Sequence, residues 1–86
     1  MIGADLTGLD LSGFDLTGAN LTRVDLSGAD LFQADLTEAN LTETILTWSN
    51  MTEANVGGAN LTGASLTGAK LTDVIGADLT GALTDS

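Results

Sequence analysis

The chain has no cysteine, histidine, proline or tyrosine, and only Arg23 and Lys70 carry positive charge in its 86 residues. Each absence removes a class of answer. Without cysteine there is no disulfide framework, no thiolate chemistry and no zinc–thiolate centre. Without His or Cys no ordinary nucleophile–base pair can be assembled, and a single lysine with no evident partner does not replace one. The chain is therefore expected not to be an enzyme. A net charge of −10 leaves no cluster of cations for phosphate contacts, so no nucleic-acid partner is expected and an anionic membrane surface would repel it. There is no long apolar run and no basic, apolar leader, which leads us to expect a cytoplasmic protein. Neither the EF-hand loop nor the Gly-Gly-Asp calcium repeat occurs, so no metal or cofactor is expected.

What the chain does contain is a period. Leu or a similar residue returns every fifth position, from Leu6, Leu11, Leu16, Leu21, Leu26, Leu31, Leu36, Leu41 and Leu46 through Met51 and Val56 to Leu61, Leu66 and Leu71. Two places earlier stands a small residue, usually Ala; Asp or Asn lies between, and Thr or Ser follows, often with Gly. A helix turns about 100° per residue, so this spacing would scatter the leucines around it. A plain strand fails because five is odd and its side chains alternate. A mixed path works. Ala19-Asn20-Leu21 lies extended with Ala and Leu facing inward, and Thr22-Arg23 turns a corner. Gly8, Gly13, Gly18, Gly28, Gly58, Gly63 and Gly68 occupy the second corner position, where positive φ suits glycine. Repetition winds the chain into a solenoid whose neighbouring coils pair backbone to backbone about 4.8 Å apart. The missing proline fits, because every extended N–H must reach a neighbour. Leu, Ile, Val and Phe supply 23 of the 86 residues, more than a disordered acidic chain of low complexity would carry.

A coil could take fifteen or twenty residues. Twenty is favoured because it stacks like on like: Asn20, Asn40 and Asn60 fall in one column, with Thr22, Thr42 and Thr62 beside them. The A-[D/N]-L-[T/S]-G pattern resembles the pentapeptide repeat family. The resemblance covers residues 4–73 and returns at Ala77-Asp78-Leu79-Thr80-Gly81. It implies an all-β, right-handed quadrilateral β-helix, here of roughly 3.5 to 4 coils. One solenoid domain over 1–86 is expected, with regular repeats over 4–73, a frame slip at 74–76 and a terminal repeat or cap at 77–86.

The departures from the pattern hold the candidate sites. Asp5, Asp10, Asp15, Asp25, Asp30 and Asp35 fill outward positions that later carry Asn, Ser or Lys. A twenty-residue coil stacks them in pairs, a face that a basic protein surface could meet, though a solvated acidic face is the plainer reading. The Asn column is expected to form a ladder of amides. Thr44 and Ser49 take inward Ala slots, Ile45 an outward one, and Trp48 a corner place that holds Gly28 and Gly68 in its own column. With Phe32 at another corner, Ile45 and Trp48 make a candidate contact patch. The competing reading is an aromatic that simply covers neighbouring glycines. Phe14, larger than the Ala it replaces, is expected to plug the first coil, while Val74-Ile75-Gly76 breaks the frame and residues 75–81 repeat 2–8. With no capping helix, the ends invite a homodimer by end-to-end stacking.

The reading these features favour is a structural or interaction module, a rigid acidic rod. A second, implied by the resemblance, is a DNA mimic that occupies the DNA site of a type II topoisomerase and protects against quinolones. The length expected of the coils is well below the ~34 Å of one DNA turn. A third, ice binding through the Thr columns, is weakened because Thr is already explained as a corner residue.

Overall fold

The computed structural model describes residues 2–84. Its backbone repeats one local event. The inward residue donates its N–H to the leucine carbonyl three residues back, as Ala19 N–H does to Leu16 O at 3.0 Å. This closes a β-turn whose third residue has positive φ. Every such corner shares that conformation, including seven without glycine: Arg23, Gln33, Glu38, Glu43, Trp48, Glu53 and Asp73. Among L residues this region is costly, roughly 1–2 kcal/mol each, and the neighbouring coils must hold it in place.

Between corners the chain is extended for three residues, so each face pairs with the next coil through one central residue. Those parallel pairings run Asp5–Asp25–Ile45–Ser65, Asp10–Asp30–Asn50–Lys70, Asp15–Asp35–Asn55–Ile75 and Asn20–Asn40–Asn60. Each step is twenty residues. A coil therefore holds four pentapeptides, and the chain is a four-sided parallel β-solenoid. The central N–H reaches one way, Asp25 N to Ala4 O at 2.9 Å, and the leucine N–H the other, Leu6 N to Asp25 O at 2.8 Å. A third strand-like bond links corners, Gly8 N to Ser27 O at 3.0 Å. Together these satisfy the backbone along the stack.

The interior is the line of aliphatic side chains that the period requires. Leu21, Leu26, Leu31, Leu36, Leu41, Leu46, Met51, Val56, Leu61 and Leu66 are buried, with Ala29, Ala34, Ala39, Ala54 and Ala64 between them. Full burial of each leucine contributes about 1.5–3 kcal/mol against the ordering cost of its coil. Thr44 and Ser49 enter this interior without an orphaned hydroxyl. Thr44 Oγ1 donates to Leu21 O at 2.7 Å and Ser49 Oγ to Leu46 O at 2.8 Å.

The ends differ from expectation. Phe14 is 52% exposed and Leu9 45% exposed, so the first coil is not plugged; these side chains occupy inward slots but have a coil on one side only. At the other end the chain cuts a corner. Gly76 lies so close to the backbone of Gly57 that an added Cβ would stand 2.9 Å from Gly57 Cα. The pairing then resumes as Ser65–Leu83, a step of eighteen residues instead of twenty. The last coil is two residues short, and Gly57, where the other corners carry Thr, Ser or (once) Phe32, supplies the room. Residues 85–86 of the expected terminal repeat lie outside the described residues. The described chain measures 26 × 26 × 21 Å, a block instead of the expected rod.

Candidate interaction surface

The acidic face is built from the corner upward. Each outward Asp or Asn turns its Oδ1 back toward the residue two places on and accepts that backbone N–H at 2.9–3.2 Å. Where that residue is Thr or Ser, its hydroxyl usually donates to the same oxygen, as Ser12 Oγ does to Asp10 and Thr17 Oγ1 to Asp15, both at 2.6 Å. The hydroxyl first and the N–H second hold the carboxyls of Asp5, Asp10, Asp15, Asp25, Asp35 and Asp78 below their ordinary pKa. Stacking opposes this. Asp35 pushes Asp15 up and Asp5 pushes Asp25 up, but by less than the hydrogen bonds lower them. The six aspartates singled out in the sequence are thus three stacked pairs, Asp5/Asp25, Asp10/Asp30 and Asp15/Asp35, on three successive sides of the solenoid, so they form an acidic band around it and not a single face. Phe32 has no hydroxyl, so Asp30 accepts only its N–H, at 3.0 Å.

The Asn column forms as expected, but the amide ladder does not. Asn20, Asn40 and Asn60 give Oδ1 to the N–H and hydroxyl of Thr22, Thr42 and Thr62. No Asn–Asn side-chain bond occurs among the described residues. A partner two residues away outcompetes one in the next coil. The same bonds occupy the hydroxyl protons of that Thr column.

The aromatic patch is partly assembled. Ile45 sits mid-face at 38% exposure, and Trp48 turns the corner that follows it, at 72% exposure. The Trp48 ring leans onto the next coil, where a Cβ on Gly68 would meet its Cε3 at 2.5 Å. Glu38 and Glu43 lie over Gly58 and Gly63 in the same manner. Phe32 does not join them. It is half-buried and turns a different corner, with the face Ser49–Met51 between that corner and Trp48. Arg23 Nε bonds Glu43 Oε1 at 2.8 Å on the exposed surface, a pair that contributes little to stability.

Sequence reasoning missed the left-handed corners at residues other than glycine. Their signal was positional: the second corner slot has one backbone conformation whatever side chain fills it. Among the described residues no cavity opens in the surface. Nor does any group of three or more His, Cys, Asp or Glu gather to hold a metal ion. Among the described residues no helix is long and apolar enough to cross a membrane.

The described residues thus form a four-sided solenoid that displays stacked acids and one large exposed aromatic. The sequence pattern of pentapeptide repeats matches in eight copies across residues 1–37, 29–68 and 39–83. The chain belongs to the pentapeptide repeat family. Among solved structures it is similar to a pentapeptide repeat protein from the thylakoid lumen of Arabidopsis thaliana, with 29% identity and a TM-score of 0.57. That likeness covers 93% of this chain and 64% of the plant protein, so the chain spans less than two thirds of that relative's length. A pentapeptide repeat protein from Nostoc PCC 7120 is 28% identical with a TM-score of 0.56, over 95% of this chain and 81% of that one. A plasmid-mediated fluoroquinolone resistance protein is only 16% identical over 99% of this chain and 85% of its own, with a TM-score of 0.30, and carries no functional argument. No functionally curated protein matches the chain in sequence.

Proposed function

We propose that this chain is a non-catalytic protein-interaction module, a single right-handed solenoid domain of roughly 3.5 to 4 coils. Its partner is a protein with a basic surface, met by the stacked Asp5/Asp25 and Asp10/Asp30 pairs on the two faces that flank Trp48 and anchored on Trp48 and Ile45, while Asp15/Asp35 on the opposite face adds only to the overall negative field. Phe32 lies at the margin of that contact. One observation carries the reading. Trp48 is a large aromatic held at φ 62 in a column that otherwise has glycine, and it remains 72% exposed. Core packing does not require it there. Exposed aromatics of this kind are the residues on which interfaces concentrate their binding energy. Hydroxyl-clamped aspartates add a fixed negative field that would speed encounter with a basic surface. The reading needs no cofactor, nucleic acid or membrane, and it takes the cytoplasm as the place of action.

The test is affinity capture with the native chain and Trp48→Ala in parallel. We expect the variant to keep its circular dichroism spectrum and to lose about tenfold or more in affinity for captured partners, as truncation of a central aromatic does. Equal capture by both chains would remove Trp48 from the contact. The topoisomerase reading draws on the paired aspartates, although a single copy is shorter than the ~34 Å of one DNA turn. A gyrase supercoiling assay with no inhibition would dismiss it.

A further inference from the structure

One side of the solenoid changes character along its length. Its central column runs Asp5, Asp25, Ile45, Ser65 and Leu83, two carboxylates followed by two aliphatics with a hydroxyl between them. Among the described residues no other column sets two acids and two aliphatics end to end. Ile45 and Leu83 are both exposed. Leu83 takes the central, outward slot while its neighbour Ala82 packs against the core, so its exposure belongs to the side of the stack and not to its open end. From the third coil on, this side carries no charge: residues 44–48, 64–68 and 82–84 are Thr, Ile, Leu, Trp, Ala, Ser and Gly. The Trp48 ring, laid over Gly68, walls one border of that half. On the other border Arg23 and Glu43 neutralise one another at 2.8 Å, whereas Asp5 and Asp25 have no ion-pair partner among the described residues.

Bonding limits what can cover this side. Ile45 N–H donates to Val24 O, Leu46 N–H to Ser65 O, Ser65 N–H to Thr44 O and Leu83 N–H to Ala64 O, at 2.7–3.0 Å. The hydroxyls of Thr47 and Ser65 bond each other at 3.1 Å. The side therefore offers no backbone edge for an added strand, and a partner must read it through side chains. We infer that the partner lays an amphipathic α-helix across the coils of this side, with Lys or Arg over Asp5 and Asp25 and aliphatic residues over Ile45 and Leu83. The inference rests on the interaction-module reading above and gives that partner its shape. Spacing supports a helix. Coils repeat every ~4.8 Å and helical turns every ~5.4 Å, so successive turns meet successive coils, and a tilt of about 27° makes the two coincide. The column spans roughly 19 Å, which a helix of about fifteen residues covers at that tilt.

Charge complementarity sets the order of residues along the helix. A uniformly basic stripe would leave its later cations stripped of water over Ile45 and Leu83, and a uniformly apolar one would strip Asp5 and Asp25. Only a stripe that is cationic in its turns over the first two coils and aliphatic beyond them matches both halves. The corner bonds from Thr7 to Asp5 and from Ser27 to Asp25 hold the two carboxylates in place before the partner arrives. Trp48 stands beside the uncharged half, where its exposed ring packs against the flank of the helix.

The test uses the full chain and a fluorescent synthetic helical peptide of about fifteen residues. It carries two lysines one turn apart, then leucines along the same stripe; a peptide of equal composition with the stripe scrambled is the control. Fluorescence anisotropy should show the striped peptide binding about tenfold or more tightly than the control. Ile45→Asn gives the repeat its usual amide, which Thr47 is placed to clamp as Thr52 clamps Asn50; it should weaken the striped peptide about tenfold. Asp5→Asn with Asp25→Asn keeps the corner bonds, as Asn20 and Asn40 do. It should weaken binding on the order of fivefold and flatten its salt dependence. Asp10→Asn with Asp30→Asn, on the neighbouring side, should change it by less than about twofold. Circular dichroism confirms that each variant is folded. No preference for the striped peptide, or binding that Ile45→Asn leaves intact, would overturn the helix even if capture by the native chain still depends on Trp48. Binding that depends on Ile45, with equal capture by the native and Trp48→Ala chains, would keep the helix site and remove the anchor.

Discussion

Gly28 and Gly68 occupy one column, share nearly the same left-handed φ (+68° and +70°), and differ in what surrounds them. An alanine at Gly28 enters open space, so its cost is the backbone conformation alone, about 1–2 kcal/mol. At Gly68 the new Cβ would sit 2.5, 2.6 and 2.8 Å from three atoms of the Trp48 ring. The ring is exposed and can swing away, so the added cost is the contact it gives up, on the order of 0.5–1 kcal/mol. Each kcal/mol shifts the melting temperature of a domain this size by roughly 4–8 °C. Gly68→Ala should therefore melt a few degrees below Gly28→Ala. In a Trp48→Gly background the two substitutions should become equal, because only the φ term remains. Thermal unfolding followed by circular dichroism reads the difference. Fluorescence of the single tryptophan supplies an independent signal, with a red shift in Gly68→Ala as the ring lifts into water. Equal melting temperatures in the native background, with unchanged emission, would refute the placement of the ring.

Three other outcomes follow from the same structure. Leu41→Ala, at a fully buried position, should lower unfolding free energy by about 2–5 kcal/mol in denaturant titration, and a loss under 1 kcal/mol would mean the interior had collapsed around the gap. Glu38→Gly should stabilise the chain by about 0.5–1 kcal/mol, since it releases a left-handed residue that makes no side-chain hydrogen bond among those described; a lower melting temperature would contradict this. The clamped aspartates titrate lower when folded, so their contribution is whole above the unfolded value of 3.8 and drains away as pH falls through the lower folded values. Melting temperature should hold steady down to about pH 5 and drop below pH 4, whereas a rise in acid would mean that relief of carboxylate stacking dominates.

Much of the scaffold could be read before any coordinates. The odd spacing of Leu36, Leu41 and Leu46 leaves a corner after each as the only way to bury all three, and the recurrence of Asn20, Asn40 and Asn60 selected four corners per coil. Glycines in the column of Trp48 pointed to the ring lying over one of them. Other features depend on competition between bonds that a pattern does not rank. The Asn amides turn to Thr22, Thr42 and Thr62 because those donors are local and already oriented by the corner. The left-handed state of Arg23 or Glu53 is imposed by neighbouring coils against the residue's own preference. The shortened last coil depends on Gly57, whose role follows only from the contact of Gly76 with its backbone. Phe32 and Trp48, by contrast, were separable in the sequence, because a twenty-residue coil already assigns them to different corners.

Because each rung consumes twenty residues and returns to the same side, this architecture tolerates change in whole rungs far better than in fractions. Inserting four pentapeptides would lengthen the stack by one storey and leave every vertical alignment intact. Inserting a single pentapeptide before residue 44 would preserve the greasy centre yet turn everything after it by ninety degrees. Ile45 and Trp48 would then move off the side they now share with Asp5 and Asp25. For such a molecule, the remainder on division by twenty governs which surface groups are neighbours, and total length governs only reach.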